Sequence, residues 1–280
     1  MNIGIRLHDT VQGTLDERMD SARAQGFTCI QLAMQKSVEG FSMLEADRLL
    51  TKELADEVRE ALKRHGLEVA VLGCYLKLAD FDEESAEKTR RIYEAHLRFA
   101  RWIGARCVGT ETPPAPSAGE VGASCQKEET YQIFLKRVRP IVQCAEEEGV
   151  DLAIEPVCSH VIYSAALTER LLNDLNSDRV KVILDAVNLI DSRHVPMAQQ
   201  IVEDAIQRLG AKTTVMHLKD FVPVPDAPRP KAVACGMGRM QYGPLLRLAK
   251  ERELPITLEN TTPENAEACR LYLEDLAAQI

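Results

Sequence analysis

The chain has 280 residues, of which 45% are hydrophobic and 28% charged, the make-up of a folded globular protein rather than a disordered one. The length suits one large unit, since α/β barrels run to roughly 250 residues as a single domain, and residues 1–280 are expected to form one. With 34 Lys and Arg against 43 Asp and Glu, the formal net charge is −9. No basic cluster stands out, which argues against a nucleic-acid partner, whose phosphates need one.

The first residues, Met1-Asn2-Ile3-Gly4-Ile5-Arg6, lack the basic segment and apolar core of a signal peptide. No apolar run approaches the ~20 residues of a membrane span. A cytoplasmic protein with no membrane partner is the expectation. The eight cysteines stand singly, with no C-x-x-C pair. Cys29, Cys74, Cys107 and Cys144 fall in apolar stretches as small buried hydrophobes, in keeping with a reducing compartment. Cys158, three residues past Glu155, is the exception, placed to face a site.

Apolar strand candidates alternate with amphipathic helix candidates along the chain. Ile3–Ile5 is the first strand, followed by a helix over Thr14–Ala24. Cys29–Leu32 is the second, with a charged helix over Thr51–His65. Leu67–Leu72 precedes the long helix Glu83–Ile103, and Arg106–Gly109 precedes Glu128–Glu148. Val150–Glu155 opens the fifth unit, with its helix near Thr168–Asn173. Val180–Asp185, Lys212–His217 and Pro255–Glu259 complete the strands, with helices near Met197–Leu209, Tyr242–Glu251 and Pro263–Ala277. Gly26, Gly66, Gly104, Gly149 and Gly210 follow helices where a left-handed capping residue is expected. Eight such units imply parallel strands with crossover helices, closed into a barrel. An open nucleotide-binding sheet would carry a Gly-rich loop after its first strand, and Arg6-Leu7-His8-Asp9 is nothing like one. The Pro-rich stretches Thr112–Ser117 and Val222–Pro230 follow strands and are expected as loops shaping the mouth.

Four apolar runs in the second half end in a residue that can hold a metal: Leu152-Ala153-Ile154-Glu155, Val182-Ile183-Leu184-Asp185, Thr214-Val215-Met216-His217 and Ile256-Thr257-Leu258-Glu259. Taken singly, an acidic residue there is more often a helix cap or a loop end. In a parallel barrel, however, all strand C-termini converge on one face. Carboxylates crowded there repel one another and need a cation. Among the remaining polar residues, Glu111, His160, Lys219 and His8 follow strands and are candidates for substrate contacts. His65 and His96 lie within helices as solvated or packed residues, Trp102 as core, and His194 carries no assignment.

The segments Gly109-Thr110-Glu111-Thr112, Ile154-Glu155-Pro156, Leu184-Asp185-Ala186-Val187-Asn188-Leu189, His217-Leu218-Lys219-Asp220-Phe221 and Leu258-Glu259-Asn260 resemble the sugar phosphate isomerase/epimerase family of xylose isomerase-like (β/α)8 TIM barrels. That family also holds ketose 3-epimerases and inosose dehydratases, with endonuclease IV a more distant relative. The resemblance spans nearly the whole chain. It implies that Glu155, Asp185, His217 and Glu259 bind one divalent ion. Many members carry a histidine where this chain has Asn188, which can still meet a sugar hydroxyl. An arginine often found a few residues past the seventh-strand histidine has its counterpart in Lys219, for an anionic or carbonyl contact.

Three carboxylates and an imidazole suit Mn²⁺ or Mg²⁺, with Co²⁺ and Zn²⁺ also acceptable. An ion chelating a carbonyl and its neighbouring hydroxyl acidifies the intervening C–H and stabilises the enediolate. Glu155 and Glu259, the expected catalytic acid–base pair, then flank the substrate for isomerisation or epimerisation of a ketose or related polyol. A dehydratase or lyase on a keto-polyol uses the same parts and stays open beside it, as does, further off, a non-catalytic sugar-binding barrel. A nuclease like endonuclease IV needs a zinc cluster and a basic groove, and six histidines with an acidic balance argue against it. The expected partner is a small sugar or polyol, with a homo-oligomer allowed.

Overall fold

The computed structural model describes residues 1–280. Its strands are β1 (Ile3–Arg6), β2 (Cys29–Leu32), β3 (Glu68–Gly73), β4 (Cys107–Thr110), β5 (Asp151–Ile154), β6 (Val180–Leu184), β7 (Thr213–Leu218), β8 (Asp220–Val222), β9 (Lys231–Val233) and β10 (Ile256–Leu258). Eight of these close into a barrel in the order β1-β10-β7-β6-β5-β4-β3-β2, every pairing parallel. β8 and β9 form a separate antiparallel hairpin over the mouth.

Side chains of a strand alternate between barrel interior and helix layer. A small inner cluster of Cys29, Ala70, Val71, Cys107, Ala153, Ile183 and Val215 fills the lumen, while 71 buried residues form the layer between barrel and helices. Small residues keep the lumen closed. A Cβ on Gly109 would come within 2.5 Å of Val71 Cγ1 and 2.7 Å of Ile183 Cδ1, and one on Gly4 within 2.2 Å of the Cys29 carbonyl oxygen.

The helices follow the expected places with adjusted ends. Thr14 caps the first, Leu15–Ala24, through a capping box with Glu17, satisfying amides that helix geometry leaves free. The fifth crossover helix is longer than its sequence signal, Ala165–Leu175 rather than Thr168–Asn173, because Ser164 caps it four residues earlier. The last begins later, at Ala266. Gly104 closes Glu83–Ile103 in the left-handed conformation, with φ 72°. Gly210 does not do so: its φ is −52° and the chain continues into a 3₁₀ turn over Gly210–Lys212. Of the Val222–Pro230 stretch, Val222 ends β8 and residues 223–230 form the hairpin connection to β9. No helix is long and apolar enough to cross a membrane.

Candidate metal centre

The alternation along each strand explains where the acidic residues arrive. Ala153, Ile183 and Val215 face the lumen, so the next inward positions are Glu155, Asp185 and His217. Glu155, Asp185 and Glu259 stand one residue beyond their strands, whereas His217 lies inside β7. Ladder bonds still fix two of them: Glu155 N–H donates to the Thr110 carbonyl at 2.8 Å and Glu259 N–H to that of Leu218 at 3.0 Å. The four residues are buried and offer ligand atoms that all lie within 4.8 Å of one another.

The ligand atoms converge on one point, with the His217 ring between two carboxylates. His217 Nδ1 lies 3.1 Å from Glu155 Oε2 and 3.2 Å from Glu259 Oε1, yet neither of its ring nitrogens makes a hydrogen bond of acceptable geometry. Buried polar atoms without partners are rare and call for an explanation such as an ion. Three oxygen donors and one nitrogen with such orphaned atoms fit a divalent cation, and the residues present could hold one.

Charge in the cluster is finely opposed. Burial disfavours ionised Glu259, but Lys219, His217 and Arg6 outweigh it and hold the carboxyl well below the usual range. Burial would lower the Lys219 ammonium, but Asp185, Glu259 and Glu155 drive it far up instead. Burial likewise opposes the charged His217 ring, and the Glu155 and Glu259 carboxylates raise it to about 9. Asp185 goes the other way: burial dominates and raises it to about 6 against the pull of Lys219.

Around this centre a cavity of about 720 Å³ opens at the C-terminal face, and Glu111, His160, Asn188, Lys219 and His8 all line it. Asn188 Nδ2 donates to Glu155 Oε1 at 2.7 Å, its own N–H to Asp185 Oδ1 at 3.1 Å. Glu111, two residues past inward-facing Gly109, has its carboxyl pushed up to about 7, by burial first and then by Glu155 and Glu259. Its Oε2 lies 3.5 Å from His160 Nδ1. Burial, aided by Arg229, lowers His160 to about 4, and burial with Arg6 lowers His8 to about 3, so both rings are neutral at pH 7. Cys158 is not among the residues lining the cavity. The turn after β5 carries its amide to the Asn188 carbonyl at 2.8 Å and its thiol toward Arg229 and Asp191.

Sequence reasoning missed Arg6, Gln31, Tyr75, Lys36 and Arg229 in this cavity. Arg6 and Gln31 were accessible by the same alternation, two residues past inward Gly4 and Cys29. Gln31 Nε2 donates to Tyr75 Oη at 2.5 Å.

Residues 19–276 match the family model described as xylose isomerase-like TIM barrel. The chain belongs to the xylose isomerase-like TIM barrel family. No curated protein matches it by sequence. Solved structures similar to this xylose isomerase-like barrel include D-psicose 3-epimerase with D-tagatose from Clostridium cellulolyticum H10, at 14% identity, 99% coverage of both chains and TM-score 0.72. The IOLI protein with a bound zinc atom matches at 18% identity over 100% of this chain and 99% of that one, TM-score 0.75. The probable 3-DHS dehydratase AsbF from Bacillus anthracis matches at 16% identity, covering 100% and 98%, with TM-score 0.72. At these identities the likeness speaks for the fold.

Proposed function

We propose that this barrel is a divalent-metal-dependent sugar isomerase or epimerase acting on a ketose or related polyol by proton transfer. The observation that carries the proposal is the buried convergence of Glu155, Asp185, His217 and Glu259, with ligand atoms within 4.8 Å and orphaned polar atoms among them. These four would hold the ion, Mn²⁺ or Mg²⁺ by donor chemistry, with Co²⁺ or Zn²⁺ also acceptable. A solved relative that carries zinc and others named as epimerases support the reading. Bound there, the ion would supply Lewis acidity to a carbonyl and its neighbouring hydroxyl, lowering the barrier to removing the C–H proton between them.

The chain's own groups would do the rest. Glu259, held ionised by Lys219, His217 and Arg6, keeps an acceptor ready for a proton. Glu155 stands across the cluster with Oε1 oriented by the Asn188 amide, so the two glutamates can serve opposite faces of a substrate. Lys219 would steady an oxygen that gains negative charge. His8 and His160, both neutral, and Asn188 offer hydrogen bonds to hydroxyls.

One observation favours a second reading. The Glu111 carboxyl, pushed up to about 7 by burial and then by Glu155 and Glu259, is protonated in a substantial share of molecules at neutral pH and could deliver that proton to a departing hydroxyl, the step that makes a dehydratase. Incubating the protein with Mn²⁺ in D₂O against a panel of ketoses, inososes and their phosphates distinguishes the two. Deuterium entering a product of unchanged formula supports isomerase or epimerase chemistry, whereas loss of water assigns the dehydratase. No exchange and no product with any of them contradicts both.

A further inference from the structure

The cations that line the cavity divide into two kinds. Arg6 is matched by Asp9, 2.7 Å away, and Lys219 by Asp185 and Glu259. Arg229 and Lys36 line the same cavity and pair with no carboxylate. Lys36 is exposed at the outer rim, but Arg229 is half-buried. Holding a guanidinium partly out of water without a counter-charge is unfavourable unless an anion arrives to meet it.

Arg229 is also held in place. It sits between Pro228 and Pro230, whose rings restrict the backbone, just before β9 of the hairpin over the mouth. The Pro228 carbonyl accepts from Ser192 N–H at 3.2 Å. Arg229 Nη2 donates to Asn188 Oδ1 at 2.9 Å, and Asn188 Nδ2 donates to Glu155 Oε1 at 2.7 Å. One of the five guanidinium N–H donors is therefore used on the protein, and the rest of the fork stays available for an oxyanion. The same amide links the fork to Glu155, two hydrogen bonds away. An arginine restrained in this way resembles a recognition element more than a solvated surface charge.

We infer that the substrate is an anion, a polyhydroxy carbonyl compound bearing a carboxylate or a phosphate, whose oxyanion docks on Arg229 with Lys36 at the rim. Arg229 is then a specificity-determining residue. A neutral sugar would leave its fork unsatisfied. The inference rests on the proposed function only for which end of the substrate reacts: the anionic end lies on the Glu155 side of the cluster.

The test is calorimetric titration of the full-length protein, with and without Mn²⁺, using two matched pairs: D-gluconate against D-glucitol, and D-fructose 6-phosphate against D-fructose. A hydrogen bond to a charged group contributes about 1.5–3 kcal/mol, so at least one anion should bind roughly 10–100-fold more tightly than its neutral partner. The pair that shows the preference names the group as carboxylate or phosphate. R229Q should erase the preference, R229K should keep part of it, and K36Q should reduce it by a smaller factor, all with unchanged melting temperatures. Equal binding of charged and neutral partners by the wild type overturns the inference, as does a preference that survives in R229Q. The preference is expected whether or not Mn²⁺ is present, whereas the isomerase reading depends on metal-dependent C–H exchange, so the two can fail separately.

Discussion

Lys219 Nζ donates to Glu259 Oε2 at 2.8 Å across forty residues of sequence, and the same ammonium stands 2.7 Å from Asp185 Oδ2. Lys219 follows His217 on the way out of β7, so one strand end brings both an imidazole and an ammonium to three carboxylates. A fixed cation inside a proposed ion site opposes the ion's entry and balances the carboxylates before it enters.

Replacing that ammonium should therefore separate binding from turnover. A unit charge about 4 Å away is worth on the order of a few kcal/mol at an effective dielectric of 20, so K219M should bind Mn²⁺ at least about tenfold more tightly. Its turnover should fall. Calorimetric titration with Mn²⁺ checks the first part, and unchanged or weaker binding would count against the arrangement.

Metal binding and protons should compete. His217 is raised from about 6.5 to about 9 by Glu155 and Glu259 after burial is overcome. A group with a raised folded value stabilises the fold fully below its ordinary value and loses that contribution as pH rises through the folded one. With chelator present, the melting temperature should fall between about pH 6.5 and 9. Over the same window metal affinity should climb, since an ion bound to His217 must displace its proton. Scanning fluorimetry and titrations in buffers of different ionisation enthalpy test both signs, and a pH-independent affinity would refute the linkage.

The two glutamates should behave differently from the other two residues. Glu155→Gln and Glu259→Gln keep an oxygen donor and lose the base, so bound metal should be partly retained while turnover drops by about 10²–10⁴-fold, the usual worth of acid–base catalysis. Asp185→Asn and His217→Gln should act through occupancy, and excess metal should restore part of the rate. A glutamine variant with full metal and near-normal turnover would rule out the proton-transfer pair.

Asn188 acts through Glu155, which it holds at 2.7 Å. Losing one partner of a buried carboxylate costs about 1–3 kcal/mol. Asn188→Ala should lower turnover by roughly 10–100-fold, with metal content unchanged in elemental analysis.

For the scaffold, a Cβ at Gly4 meets the Cys29 backbone oxygen at 2.2 Å, and the β1–β2 ladder pairs these two residues. A backbone oxygen held in that ladder cannot turn away as a flexible side chain would. Gly4→Ala should lower stability by ~1–3 kcal/mol or more, read as an earlier denaturation midpoint with an unchanged slope.

Much of the barrel was legible because local signals agree. Ala153 and Glu155, Ile183 and Asp185, Val215 and His217 alternate inward along strands bounded by turn residues, and the parallel closure aligns their ends. Residues whose position depends on long-range pairing were not legible. Phe221 pairs with Ala232 in the β8–β9 hairpin, and local periodicity does not encode a contact of that kind, so Arg229 read as part of a Pro-rich loop. Cys158 failed for the complementary reason. Strand alternation ends at Glu155, and the turn beyond it carries the thiol toward Arg229. Arg6 obeyed the alternation but sits on a four-residue strand at the chain start, where the short pattern carries little weight.

Counting Mn²⁺ ions per chain, in the wild type and in Asp185→Asn and His217→Gln, tests the centre most directly. Titration followed by electron paramagnetic resonance should find one tightly bound ion per wild-type chain, with occupancy sharply reduced in both variants. A wild-type chain that binds no divalent ion, or variants that bind it as the wild type does, would contradict an ion held by Glu155, Asp185, His217 and Glu259.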